Sequence, residues 1–153
     1  MEDDIKKYKF ISSIFKMSID EMNNIMGPET IKTVYRLIGE RIGENVAKRM
    51  KDKFKIDAWT PENFSDAIVK DVLNPVLGEG GAEVKPDGGN VRVKLNVCPF
   101  EKADMNITHM FYCTYTEGLI QTAASKAFGK DVELETISLK ADGKSCCEFI
   151  LKL

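Results

Sequence analysis

A chain of 153 residues with a formal net charge of -2, 43% apolar and 30% charged residues has the balance of one globular domain that folds without needing a disulfide or a metal. That balance lacks the basic stripe of a nucleic-acid binder, and no apolar run approaches the ~18 residues of a membrane span. The acidic start Met1-Glu2-Asp3-Asp4 has no signal-peptide organisation, so the expected location is the cytoplasm, where four cysteines are free thiols or metal ligands rather than disulfides.

Residues 1–153 read as a single domain, with 1–17 an N-terminal extension or dimerisation helix carrying Ile5, Phe10, Ile11, Ile14 and Phe15. Ser18 with Glu21 three residues on is a capping-box pattern, which predicts a restart and a short helix to Met26. Gly27-Pro28 then opens a long helix whose stripe is Ile31, Val34, Leu37, Ile38, Ile42, Val46, Met50 and Phe54. Gly39 and Gly43 share a face of it, and two helix-weakening glycines on one face predict the close approach of another backbone. The same glycine face, with the N-terminal helices, is the candidate seam of a homodimer. The basic cluster Lys48, Arg49, Lys51, Lys53 and Lys55 reads as a solvated face.

Thr60-Pro61 starts a further helix that Pro75 ends or kinks, and Gly78-Glu79-Gly80-Gly81 breaks the chain. Residues 82–97 read as a hairpin turning at Pro86-Asp87-Gly88-Gly89, with Val91, Val93, Leu95 and Val97 on its buried face. A helix is predicted over 108–128, closed by Gly129. A last hairpin pairs 132–140 with 145–153 across Asp142-Gly143. Helices followed by hairpin, helix, hairpin predict an α+β fold: N-terminal helices packed on a small antiparallel sheet.

The chemistry-bearing residues are few. Cys98 ends a strand, Cys113 lies early in the 108–128 helix, and Cys146 and Cys147 follow the final turn. Thiolates at strand ends and helix starts can converge on a soft metal, zinc or an iron–sulfur cluster. His109 is four residues before Cys113, one helical turn away, and Glu133 and Glu135 offer oxygen ligands. Packing of the cysteines as small hydrophobes is the competing explanation, and adjacent Cys146 and Cys147 point to opposite faces of a strand. No phosphate loop, nucleophile elbow or zinc-protease motif is present, so the expectation leans away from an enzyme.

Several short motifs together resemble the vinyl-4-reductase (hydrocarbon-binding) domain family. They are Cys113-Thr114-Tyr115-Thr116-Glu117-Gly118, Gly129, Val132-Glu133-Leu134-Glu135-Thr136, Gly143 with Cys147-Glu148-Phe149, and the glycine-bearing stretch Leu37–Gly43. The resemblance spans roughly residues 20–153. It implies a fold related to haem-NO-binding domains and Golgi-transport tethering subunits, and a sensor module for a small hydrophobic ligand. It further implies zinc held by Cys113, Glu135 and either Cys146 (counted from Glu135) or Cys147 (counted from Gly143). The family's remaining cysteine falls on Ser138 or Leu139, so Cys98 or His109 is left to complete the set. The alternatives are an iron–sulfur redox sensor and a reductase acting on a tetrapyrrole-like substrate, though no nicotinamide or flavin motif supports the latter. The expected partners are a small hydrophobic ligand and a second copy of the chain, without direct nucleic-acid binding.

Overall fold

Gly27, at φ +81°, and Pro28 separate two long helices, α1 (Glu2–Met26) and α2 (Pro28–Phe54), in the computed structural model of the chain, which describes residues 1–153. The restart expected at Ser18 does not occur. Ser18 turns its hydroxyl back to the Ile14 carbonyl at 2.8 Å, as serine does inside a helix, and α1 runs through.

Thr60 caps α3 (Pro61–Ile68) with a reciprocal pair: Asn63 N–H donates to Thr60 Oγ1 at 3.2 Å, and Thr60 N–H to Asn63 Oδ1 at 2.9 Å. The helix then widens into a π turn, Val69–Leu73, before α4 (Asn74–Leu77). Pro75 has no N–H for the Asp71 carbonyl and its ring crowds that turn, so the backbone widens and Asn74 N–H reaches Val69 instead. The Asp71 carboxylate, only 4% exposed, bonds Arg49 at 2.6 Å and Lys53 at 2.8 Å. Two members of the basic cluster therefore pin α2 to this turn.

The sheet is antiparallel throughout, in the order β1-β2-β4-β3, with β1 (Ala82–Asp87), β2 (Asn90–Leu95), β3 (Glu133–Ser138) and β4 (Cys147–Lys152). Gly88 (φ +59°) and Gly89 (φ +87°) supply the two positive φ values that a two-residue turn of this hand requires, so Asp87 pairs with Asn90. The second hairpin is looser than expected. Strand β3 ends at Ser138, a 3-10 turn follows at Lys140–Asp142, and Gly143 closes it at φ +77°. Between the hairpins lie the short α5 (Pro99–Lys102) and the long α6 (Phe111–Phe128), which Gly129 ends in the left-handed conformation. The α+β architecture read from the sequence, hairpin, helix, hairpin beside N-terminal helices, is the one observed.

One core joins Val46 and Met50 of α2, Phe64 and Ile68 of α3, Leu119, Ile120, Ala123 and Ala124 of α6, and Val91, Val93, Phe149 and Leu151 from one face of the sheet. A smaller cluster, Ile19, Ile31, Phe111 and Tyr112, ties α1 to α2 and α6. The closest packing is between α2 and α6. A Cβ on Gly39 would run into the Tyr115 carbonyl, one on Gly43 would lie 2.6 Å from the Leu119 carbonyl oxygen, and one on Gly118 2.6 Å from that of Arg36. The Gly39/Gly43 face is therefore filled by α6 of the same chain and is not a dimer seam. Thr114 Oγ1 donates across to the Lys32 carbonyl at 3.1 Å. Arg36 bonds the Gln121 side-chain oxygen, while Gln121 Nε2 donates to the Val132 carbonyl at 2.8 Å.

Because the atoms that an added methyl would meet are backbone, the two helices must move apart to admit it. Gly39→Ala and Gly118→Ala are each expected to lower stability by about 1–3 kcal/mol, the usual cost of overpacking. Urea unfolding followed by circular dichroism checks this; unchanged midpoints would show that α2 and α6 are not in this register.

Candidate functional site: a thiol-lined apolar cleft

Strands β2 and β4 deliver Leu95 and Cys147 as register partners on the core face of the sheet. Residue 97 and Cys98 follow β2, and Cys113 comes from the first turn of α6. These three thiols, Cys98, Cys113 and Cys147, line one small cavity of about 30 Å³ together with Phe100, Tyr112 and Thr116. A second, larger lobe of about 160 Å³ shares the walls Leu95, Pro99, Phe100 and Thr116, and continues between Val72, Leu77, Tyr115 and Leu119. One of these shared walls is the Phe100 ring on α5. It stacks on Tyr112 with centroids 4.1 Å apart and meets the Tyr115 ring edgewise at 6.3 Å.

The lining is uncharged apart from Lys140, whose Nζ lies 3.5 Å from Glu101 Oε2. Burial pushes the Cys113 thiol from its ordinary 9.0 up to about 12, aided by the neighbouring Cys147 and Cys98. Burial also raises Cys147, opposed by the Lys140 N–H that donates to its Sγ at 3.3 Å. Thr116 directs its hydroxyl to the Tyr112 carbonyl at 3.0 Å, so that donor is satisfied within α6. At neutral pH this is a neutral, weakly polar chamber, suited to apolar surface and unsuited to an anion.

The other residues marked in the sequence lie elsewhere. Glu135 pairs in register with Ile150, one residue out of phase with Leu134↔Leu151, so it occupies the face of the sheet opposite Cys147, where Lys152 holds it at 3.1 Å. His109 precedes α6 rather than belonging to it. Met110 at φ +60° breaks the helical spacing to Cys113, and the imidazole stacks on Phe111 at 5.2 Å, beside a different hollow formed with Lys16 and Asp20. Cys146 is not a wall of the cleft; its carbonyl accepts from Ser138 Oγ at 3.1 Å. No three Cys, His, Asp or Glu side chains are gathered closely enough to hold a metal ion. The residues present thus do not fit the four-ligand set implied by resemblance. Phe100, Tyr112 and Thr116, which shape the cleft, carried no signal beyond being apolar or small.

Helices packed beside one four-stranded antiparallel sheet make up an α+β fold that two solved structures share. One is a trafficking protein particle complex subunit 3 from Naegleria fowleri, covalently bound to palmitic acid, at TM-score 0.64 and 16% identity over 94% of this chain and 95% of that one. The other is the phenol-responsive sensory domain of the transcription activator PoxR with phenol, at TM-score 0.66 and 11% identity over 92% and 73%. The chain belongs to the methanogen output domain 1 family, which it matches over residues 10–152. That family takes the place of the vinyl-4-reductase family suggested by the short motifs; the fold is what the two readings share. No curated protein sequence matches the chain. No helix is long and apolar enough to cross a membrane.

The raised thiol has a consequence for stability. The unfolded chain releases the Cys113 proton near the ordinary value of 9.0, whereas the folded chain keeps it to about 12. In that window the folded state binds more protons, so stability is full below pH 9 and falls as pH rises toward 12. Cys113→Ala is expected to flatten this decline, seen as a shallower loss of urea midpoint between roughly pH 8.5 and pH 10.5; an unaltered slope would place the thiol in water.

Proposed function

We propose that this domain binds a small, uncharged, mostly apolar molecule in the cleft between α5, α6 and the ends of β2 and β4, and works as a ligand-binding or sensor domain. The observation that carries the reading is the 160 Å³ lobe with its nearly all-apolar wall. An apolar cavity of about 150 Å³ is enough to take up one benzene-sized guest, whereas drug-sized ligands need about 300–1,000 Å³. The size therefore favours a single ring or a slender chain. The phenol and palmitic acid held by the two proteins of like fold belong to those two shapes. The 30 Å³ lobe is large enough only for a water-sized group, so a longer guest must first displace the Phe100 ring.

The cysteines then supply polarisable, neutral wall atoms that suit an aromatic edge. A second reading makes Cys98, Cys113 and Cys147 a three-thiol set for a soft metal such as zinc or iron. Their shared cavity favours it, but they would have to draw closer together. Stoichiometric metal in anaerobically purified protein, lost in Cys113→Ser, is its signature.

Phenol and a medium-chain fatty alcohol, both uncharged at neutral pH, serve as probes. A guest held at one hundred times its Kd stabilises the folded state by about 2.7 kcal/mol, which raises Tm by about 5–10 °C for a domain of this size. Thr116→Phe, which projects into both lobes, is expected to abolish the shift. If neither probe moves Tm, or if Thr116→Phe responds like the parent, the cleft is not the site.

A further inference from the structure

One wall of the 160 Å³ lobe is a single short stretch of chain: Val72 and Leu73 from the π turn, Val76 and Leu77 from α4. Of the four, only Leu73 is buried in the core; Val72 and Leu77 are half-buried, and Val76 is 64% exposed at the rim. Nor can the stretch fix itself, since α4 has four residues and Gly78 ends it at φ +79°. Asp71 stands immediately before Val72 in the same turn. Its side chain is buried beneath Arg49 and Lys53, which lie one helical turn apart on α2 and reach it at 2.6 and 2.8 Å. The two cations take different carboxylate oxygens, Oδ2 and Oδ1, so the group is fixed in direction as well as in place. Neighbouring residues of a helix are about 100° apart around its axis. A carboxylate drawn toward α2 therefore sets the angle at which Val72, and Val76 one turn on, meet the lobe.

We propose that Asp71 is a positioning residue for the cleft: its clamp to α2 sets the width of the larger lobe and restricts it to guests of one-ring cross-section. The inference rests on the reading of that lobe as the binding site. Stability alone does not account for the clamp, because an apolar side chain of similar size often holds a fold as well as a buried ion pair does. What two charge-assisted bonds add is a single geometry. Asp71 is not itself a wall of the lobe, so it acts on a guest only through Val72 and Val76. Without the carboxylate nothing on the α2 side holds the turn, and the wall is free to swing outward. Arg49 and Lys53 are half-exposed and return to water when their partner is removed, so its loss leaves no buried charge unpaired.

Calorimetric titration of the full chain with phenol and with naphthol, a two-ring guest likewise uncharged at neutral pH, tests it. The parent is expected to prefer phenol. Asp71→Leu is expected to shift the ratio of the two dissociation constants toward naphthol by about tenfold, the lower end of what pocket shape supplies. Asp71→Asn, whose remaining oxygen can still accept from Arg49, should shift it less. Arg49→Gln combined with Lys53→Gln removes the clamp from its exposed side and should shift the ratio the same way; it decides the matter if Asp71→Leu does not fold. A parent that binds neither guest ends the cleft reading and this inference together. A parent that binds phenol, with variants that weaken both guests alike or leave the ratio where it was, overturns this inference and leaves the cleft reading standing, because lost stability by itself moves both constants equally. A parent that prefers naphthol overturns it in the same way.

Discussion

The approach of α2 to α6 is the constraint on which the rest of the molecule depends. Three glycines, Gly39, Gly43 and Gly118, remove the side chains that would hold two helices at the usual 8–10 Å separation. Each glycine costs helix stability, about 1 kcal/mol relative to alanine. The return is dispersion between backbones at close range, with the Thr114 hydroxyl, shared between the Phe111 carbonyl of its own helix at 2.7 Å and the Lys32 carbonyl of α2 at 3.1 Å, bridging the two. With α6 fixed against α2, its opposite side is committed to the sheet, and Tyr112, Cys113 and Thr116 are carried to the place where β2 and β4 end. The cleft is thus a by-product of helix packing: its walls are rigid on the α6 side and depend on the short α5 segment on the other.

Much of this was legible in the chain. The alternation Val91, Val93, Leu95, the paired glycines at 88 and 89, and the cap at Thr60 each encode a local rule that tertiary structure did not override. The glycine pair of α2 announced a close backbone, yet not whose; intrachain and interchain packing leave the same mark on one helix. Ser18 misled because a capping pattern and a mid-helix serine differ only in what precedes them, and here the preceding turn was already helical. Cys98, Cys113 and Cys147, from three separate segments, line one cavity. The acid and the imidazole lie away from it, for two local reasons. A bulge between Thr136 and Ser138 and the two-residue alternation of β3 put Glu135 on the far face. One left-handed residue, Met110, detached His109 from the helix. A spacing argument holds only while the backbone stays regular.

Neutral thiols change what the site can do. A thiolate is the form that attacks or coordinates, and burial withholds it from Cys113 until strongly alkaline pH. The same desolvation that disables the sulfur as a nucleophile makes it a good wall for apolar surface. The Lys140 backbone N–H on Cys147 stabilises some negative character there, but not enough to reverse the effect of burial. A ligand that brought its own charge would have to displace the Glu101 partner of Lys140 or leave that charge unpaired in an apolar chamber, and the second option is the costlier.

The small aromatic cluster stands between the cleft and α1. Tyr112 presents one side to Phe100 and another to Tyr35, with ring centroids 4.1 and 5.4 Å away, and packs with Ile19 of α1 and Ile31 of α2 in the same buried group. Burial raises the hydroxyl pKa of Tyr112, and raises that of Tyr35 to about 12. A guest large enough to move the Phe100 ring uncovers one face of Tyr112, and stacked aromatic faces are not left uncovered without cost, since each stacked pair is worth about 0.5–1.5 kcal/mol beyond its buried area. The tyrosine then either keeps its place with the guest as its new neighbour or shifts against Ile19. In the first case the α1 surface is indifferent to what occupies the cleft; in the second, the one buried anchor of α1 moves with the ligand.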